Sequence, residues 1–310
     1  MLYTQTRKLY RDLASIIDTS GLITRSLISR VKAGNLLPGK EFDTYARIRS
    51  VFFLLKGNWQ NFRSWLCNPV SIVRYFEFPF VLDAVDFSKA NSCLDVSSPR
   101  LFDIYLLSKN KHIKLELINP DKKDLEDTNI HLNTLGLSER ASLASHDATC
   151  LPYENNSFDV VTSISVIEHI PDDGDSLAVK EMWRVLKPGG KMVITVPCAK
   201  EGYEEWRDKD AYGLGLSQQN EKYFFQRFYD TSSLQSRIFN HVGLLPKEVK
   251  VFGEKRSGVF HDYEQRWMKF GLEETIHDPL HIVRDYKSYP SIESLVGMGV
   301  CGLVFEKEYH

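Results

Sequence analysis

Residues 145–197 constrain the fold of this chain more than any other stretch. Two apolar runs, Phe158 to Ile164 and Met192 to Val196, have the composition and length of strands. Between them Leu177, Ala178, Met182, Val185 and Leu186 recur at helical spacing. Asp172 and Asp173 stand where a helix start favours carboxylates. Lys187, Pro188, Gly189 and Gly190 then supply a cation in the last turn, a stop and a tight turn. Strand, helix, strand at this length is a parallel crossover unit. Parallel sheets bind ligands beyond the carboxyl ends of their strands. The expected site therefore gathers Ser163, Ser165, Glu168 and His169 after the first strand, and Cys198 onward after the second.

The rest of the chain supports an enzyme-sized α/β protein. Its 310 residues, 43% hydrophobic and 26% charged, suffice for a large core. A net charge of −2 without a long basic run argues against a nucleic-acid partner. No apolar run reaches spanning length, so no membrane partner is expected. Five scattered cysteines lack a C-x-x-C pair, and MLYTQTRKLYRDL lacks the apolar block of a secretion signal. Reduced thiols and a cytoplasmic location follow as expectations.

Taken in order, residues 1–70 read as a helical N-terminal extension or lid. Leu9, Leu13, Ile16 and Ile17 share a helical face, as do Leu22, Leu27, Ile28 and Val31. A third helical segment runs from Tyr45 to Lys56. Cys93 to Ser97 and Ile113 to Ile118 read as strands, Leu101 to Leu107 and Asp121 to Leu135 as helices, and Ala141 to Ala144 as a short strand. Ser98 suits an N-cap and Pro99 the first helical position. Beyond Pro197, residues 199–232 read as a cap loop rather than a sheet unit, and 256–295 as a second cap insertion. Ser233 to Val242 reads as a helix, with Lys247 to Phe252 and Val300 to Glu306 as the last strands.

Three pieces, HDATCLPYENNSFDVV, SVIEHIPDD and RVLKPGGKMVITVP, together resemble the class I S-adenosylmethionine-dependent methyltransferases of the small-molecule type. The resemblance covers residues 90–200. It implies a doubly wound, seven-stranded, mostly parallel Rossmann-like sheet over 71–310, with its seventh strand antiparallel. It also implies S-adenosylmethionine as cofactor, S-adenosylhomocysteine as product, and a small-molecule methyl acceptor. Asp147 and the Ala148 backbone then take the adenine edge; the bland reading of Asp147 is a turn aspartate. Arg74, Tyr75 and Glu77 precede the first strand where the family closes over its cofactor, or else pack on the sheet. Asn119, Asp121 or Glu116 would hold the ribose, with Leu117 at the usual acidic position.

One departure stands out. The family joins its first strand and helix by a glycine-rich turn, whereas this chain has Asp95-Val96-Ser97-Ser98-Pro99-Arg100. The helix start still offers N–H groups to an anionic tail, and a serine hydroxyl can replace a backbone contact. Asp95, Ser97 and Ser98 are thus candidate cofactor residues. A degenerate fold serving as a binding or scaffold subunit is the alternative. A dinucleotide dehydrogenase would want the missing glycine fingerprint.

Methyl transfer asks a site to align donor and acceptor and to exclude water. A hydroxyl acceptor also needs a base, for which His169 with Glu168 beside it is the candidate; a structural histidine is the rival reading. From the cap, Tyr203, Glu204, Glu205, Arg227, Tyr229, His261 and Asp262 are candidate substrate contacts. His277-Asp278-Pro279-Leu280-His281 carries two histidines four apart, but Pro279 weakens a helix there, and no metal is expected. Homo-oligomerisation stays open.

Overall fold

The structure, a computed structural model, describes residues 20–210, 213, 218–219 and 221–309. The segment carrying Leu9, Leu13, Ile16 and Ile17 lies outside the described residues. The chain divides into two compact units, residues 1–75 with 261–285, and 76–260 with 286–310.

The first unit is helical: α1 (residues 20–33), α2 (Lys40–Leu55) and α3 (Trp59–Cys67). Asn58 caps α3 by accepting from the Asn61 N–H at 3.1 Å. Leu22, Cys67 and Ile276 form a small core, and Phe53 meets Trp65 edge-on at 5.0 Å. Buried Asp43 takes the Arg30 Nε–H at 2.8 Å and the Tyr75 hydroxyl at 2.9 Å. Residues 261–285, expected as part of a cap, belong to this unit. Asp278–Asp285 is helical despite Pro279, which sits in the first turn where no N–H is needed. There His281 lies 3.3 Å from both Glu274 and Asp285.

The second unit carries the sheet. Its helices and strands are α4 (Arg74–Ala84, from Phe76 onward in this unit), β1 (Ser92–Val96), α5 (Arg100–Lys109), β2 (Lys114–Ile118), α6 (Lys122–Leu135), β3 (Ala141–Ala144), β4 (Phe158–Ile164), α7 (Gly174–Val185) and β5 (Leu186–Cys198). There follow β6 (Tyr203–Arg207), β7 (Gln218–Gln219), β8 (Lys222–Phe228), a helical run over 231–242, β9 (Glu248–Glu254), β10 (Tyr286–Tyr289) and β11 (Gly299–Glu306).

The main sheet has the order β10-β9-β11-β5-β4-β1-β2-β3. Strands β3, β2, β1, β4 and β5 are mutually parallel, and β11 runs antiparallel between β5 and β9. This is the expected doubly wound α/β fold with eight strands instead of seven. The additional edge strand β10 comes from the stretch read as the second cap insertion; Tyr286 stacks on Phe252 at 5.8 Å as β10 pairs with β9. Central β4 is buried along nearly its whole length, which is why it reads as a continuous apolar run. Asp121 caps α6 through the N–H groups of Lys123 and Asp124, and Gly136 ends it at φ 68°. The stretch after β5 is not a loop: β6, β8 and β7 make a separate antiparallel sheet. Across its β6–β8 pair Tyr203 stacks on Phe228 at 4.5 Å.

Candidate active site

Strand order reverses between β1 and β4, which opens a crevice at their carboxyl ends. Ser97, the first residue after β1, has φ 56°, the left-handed conformation a glycine would adopt freely. Its N–H and its hydroxyl both donate to the Ile118 carbonyl, at 2.9 and 2.8 Å. These two bonds tie the turn to the end of β2 and hold the serine in a backbone region it otherwise avoids. Ser98 turns inward. Its N–H donates to Asp95 Oδ1 at 2.8 Å and its hydroxyl accepts the Ile164 N–H at 2.9 Å, which joins the β1 turn to β4. With that hydroxyl engaged, Pro99 and not Ser98 holds the cap position, and α5 begins at Arg100 rather than Pro99.

Asp95 is fully buried, with Thr162 Oγ1 donating to its second oxygen at 2.6 Å. Burial pushes its carboxyl up to about 6, against the opposing pull of the Thr162 and Ser98 hydrogen bonds. It therefore braces the turn from within. Asp103, inside α5, is also fully buried, and neither of its oxygens has a hydrogen-bond partner among the described residues. Burial, then the charges of Asp95 and Asp124, raise its carboxyl well above the ordinary range.

After β2, Asn119 accepts the Asp121 N–H at 2.9 Å and donates to Asp124 at 3.0 Å; Asp124 is also paired by Arg100. Asp121 is taken up by the α6 cap, and Glu116 accepts the Tyr153 hydroxyl at 2.9 Å. Leu117 is buried. Asp147 is exposed and accepts from both the N–H and the hydroxyl of Thr149 at 2.8 Å, a turn geometry, while Ala148 beside it is buried.

Near the end of β4 the hydroxyl of buried Ser163 has no hydrogen-bond partner among the described residues. Ser165, with φ 48°, is a second left-handed serine across the crevice from Ser97. Its N–H donates to the Thr195 carbonyl at 2.9 Å, and its hydroxyl donates to Glu77. Thr195 Oγ1 donates to the same Glu77 oxygen at 2.7 Å, so α4 is anchored to the ends of β4 and β5. Tyr75, expected at the cofactor, is instead wholly buried in the helical unit, because its hydroxyl is held by Asp43. Arg74 begins α4 and is half-buried.

The short helical turn Ile167–His169 follows. His169 Nδ1 lies 2.6 Å from the Phe225 carbonyl of β8, and Nε2 lies 3.8 Å from a carboxylate oxygen of buried Glu168. A carbonyl only accepts, so Nδ1 donates to it, and in the neutral ring Nε2 is then the basic nitrogen. That tautomer is the one a general base requires.

Residues 104–194 match the family model described as a methyltransferase domain. The chain carries a class I methyltransferase fold. The O-methyltransferase of a trans-AT PKS multienzyme of Brevibacillus brevis, solved with S-adenosyl-L-homocysteine, has the same fold at a TM-score of 0.51. That similarity covers 84% of this chain and 79% of that one, at 14% identity. Methyltransferase GfsG of Streptomyces halstedii is 30% identical over 112 residues, 36% of this chain and 40% of the relative. Demethylmenaquinone methyltransferase of Staphylococcus carnosus (strain TM300) is 34% identical over 123 residues, 36% of this chain and 50% of the relative. The chain thus spans half or less of the length of these two curated relatives.

Within the methyltransferase fold, the residues expected to touch substrate fare unevenly. Arg227 and Tyr229 are buried and bound to Asp175 of α7, at 2.9 and 2.7 Å. Arg237 joins them with Nε at 2.8 Å from the same carboxylate. These two side chains therefore tie the small sheet to α7. Glu204 accepts from Arg227 at 3.0 Å, and Glu205 pairs with Arg207 at 2.7 Å. Tyr203 stays half exposed. His261 is exposed on the helix Val259–Phe270 and belongs to the helical unit, as does Asp262. Sequence reasoning missed Asp175, Asp103 and Thr195. A buried acid on an amphipathic helix leaves no trace in spacing, because its partners lie 52 to 62 residues away.

Proposed function

We propose that this protein transfers a methyl group from S-adenosylmethionine to a small-molecule acceptor. The observation that carries this reading is the left-handed Ser97 at the end of β1, φ 56°, which keeps the path of a glycine turn without a glycine. The residues present fit the cofactor. The unpartnered hydroxyl of buried Ser163 offers a hydrogen bond, and the start of α5 suits an anionic tail. Ser163, Ser165, Asp147 and the Ala148 backbone would hold it, with Asn119 and Asp121 toward the ribose. The cofactor, when bound, supplies an electrophilic methyl on a sulfonium. His169 Nε2 takes the proton that a hydroxyl acceptor releases, and Glu168 at 3.8 Å favours the charged ring that results. The names of the relatives, a polyketide-type O-methyltransferase and a demethylmenaquinone methyltransferase, support a small molecule over a macromolecule as acceptor. Sugar or secondary-metabolite acceptors are the first to try.

The test is incubation with methyl-labelled cofactor and fractionated metabolites. Label in a small molecule is expected. Cofactor binding without transfer to any fraction would favour a non-catalytic binding subunit. That second reading draws on one observation: the hydroxyls of Ser97 and Ser98 are both engaged within the protein.

A further inference from the structure

The helical unit leaves uncovered an unusual number of large apolar side chains. In the run Val51-Phe52-Phe53-Leu54-Leu55 only Phe53 turns to the core. Ile48, Val51 and Leu55 recur three and four apart and form one stripe along α2, with Phe52 and Leu54 on its flanks. Leu27, Ile28 and Val31 form a second stripe on α1, and Leu36 follows it. Exposures of 66% at Ile48, 76% at Leu55, 79% at Val31 and 78% at Leu36 leave most of each residue in water. Contiguous faces of this kind mark interaction surfaces.

Charge identifies the partner. Residues 20–60 hold seven cationic side chains, Arg25, Arg30, Lys32, Lys40, Arg47, Arg49 and Lys56, against two carboxylates, Glu41 and Asp43, in a chain of net charge −2. Arg30 and Asp43 neutralise each other inside the unit, and Arg25 lies 3.9 Å from Glu273 of the same unit. Lys32, Lys40 and Lys56 are exposed beside the apolar stripes. The Arg49 guanidinium lies 5.4 Å from the Phe52 ring centre and 5.6 Å from that of Tyr45, a cation laid along an aromatic flank. Apolar side chains rimmed by cations suit a bilayer surface bearing anionic headgroups. A second copy would bring the same cations face to face, which disfavours self-docking.

We propose that α1 and α2 dock this protein on an anionic lipid surface, with Ile48, Val51 and Leu55 entering the interface and the surrounding lysines meeting the headgroups. No helix among the described residues is long and apolar enough to cross a membrane, so the contact is one of lying on the surface. The sequence expectation of no membrane partner rested on the lack of a spanning run, and a surface stripe needs none.

Sedimentation of the full chain with phosphatidylcholine vesicles, with and without phosphatidylserine, tests this. Binding should be about tenfold or more stronger with phosphatidylserine and should weaken as salt rises. Ile48→Asp with Leu55→Asp, and separately Lys40→Glu with Lys56→Glu, should each lower binding about tenfold at unchanged melting temperature, since all four side chains are exposed. Absence of binding, equal binding to both vesicle types, or variants that bind like the parent would overturn the proposal. So would light scattering that shows a dimer which the Ile48→Asp, Leu55→Asp variant dissociates, because a second copy would then cover this face.

Discussion

His169 Nδ1 and the carbonyl oxygen of Phe225 lie 2.6 Å apart, so a strand of the small sheet sets the tautomer of the candidate base. The same contact ties the turn after β4 to β8. Replacing His169 by Ala should lower kcat by about 10²–10⁴ for a hydroxyl acceptor and change cofactor affinity far less. His169→Asn, which can still donate to Phe225 but has no basic nitrogen, should be as slow. Steady-state kinetics beside titration calorimetry separates the effects. An active Asn variant would make the residue a structural clip.

Asp147 presents one carboxylate oxygen to Thr149. If it also receives the adenine amine, Asp147→Ala should weaken cofactor binding by about 1–3 kcal/mol, one hydrogen bond's worth. Thr149→Val, which removes only the side-chain donor, should weaken it less. Equal affinities for Asp147→Ala and the parent protein would reduce Asp147 to a turn residue.

Asp175 gathers Arg227, Arg237 and Tyr229 around one buried carboxylate. Asp175→Ala would leave Arg227 buried without its main counter-charge and should destabilise the protein by about 3–5 kcal/mol. Chemical denaturation monitored by tryptophan fluorescence measures it. A loss under about 1 kcal/mol would show that the cluster is dispensable for folding.

The buried Asp95 carboxyl, pushed up to about 6 from 3.8, gives stability a definite pH slope. The native state holds this proton more tightly than the unfolded chain. Its contribution is therefore complete below about pH 4 and disappears as pH rises through about 6, a span worth about 3 kcal/mol. Asp103, raised in the same direction, adds to the trend. Denaturation curves from pH 4 to 7 should show the parent losing stability relative to Asp95→Asn. Parallel curves would mean that Asp95 ionises normally in the fold.

Much of the sheet was legible because interior parallel strands are buried on both faces. The run Phe158–Ile164 coincides with β4, and Asp121 and Gly136 mark the ends of α6 by capping chemistry alone. Strand β10 was not legible, since four residues with one buried tyrosine give no alternation to count. The site was legible in position more than in detail. Ser97 follows β1, and Ser163, Ser165 and His169 lie at or just past the end of β4, but spacing could not show that Ser98 points inward, or that Arg227 and Tyr229 answer to an aspartate on α7. Spacing could not show that the Tyr75 hydroxyl is held by Asp43, because α4 begins in one unit and continues in the other.

Titration calorimetry of the full chain with S-adenosylhomocysteine tests the central claim most directly, because it asks whether a left-handed serine turn still admits the nucleoside. One site per chain with a dissociation constant in the micromolar range is expected, corresponding to about −8 kcal/mol. No heat at high micromolar ligand, from protein shown to be folded, would contradict the account and leave this sheet without its cofactor.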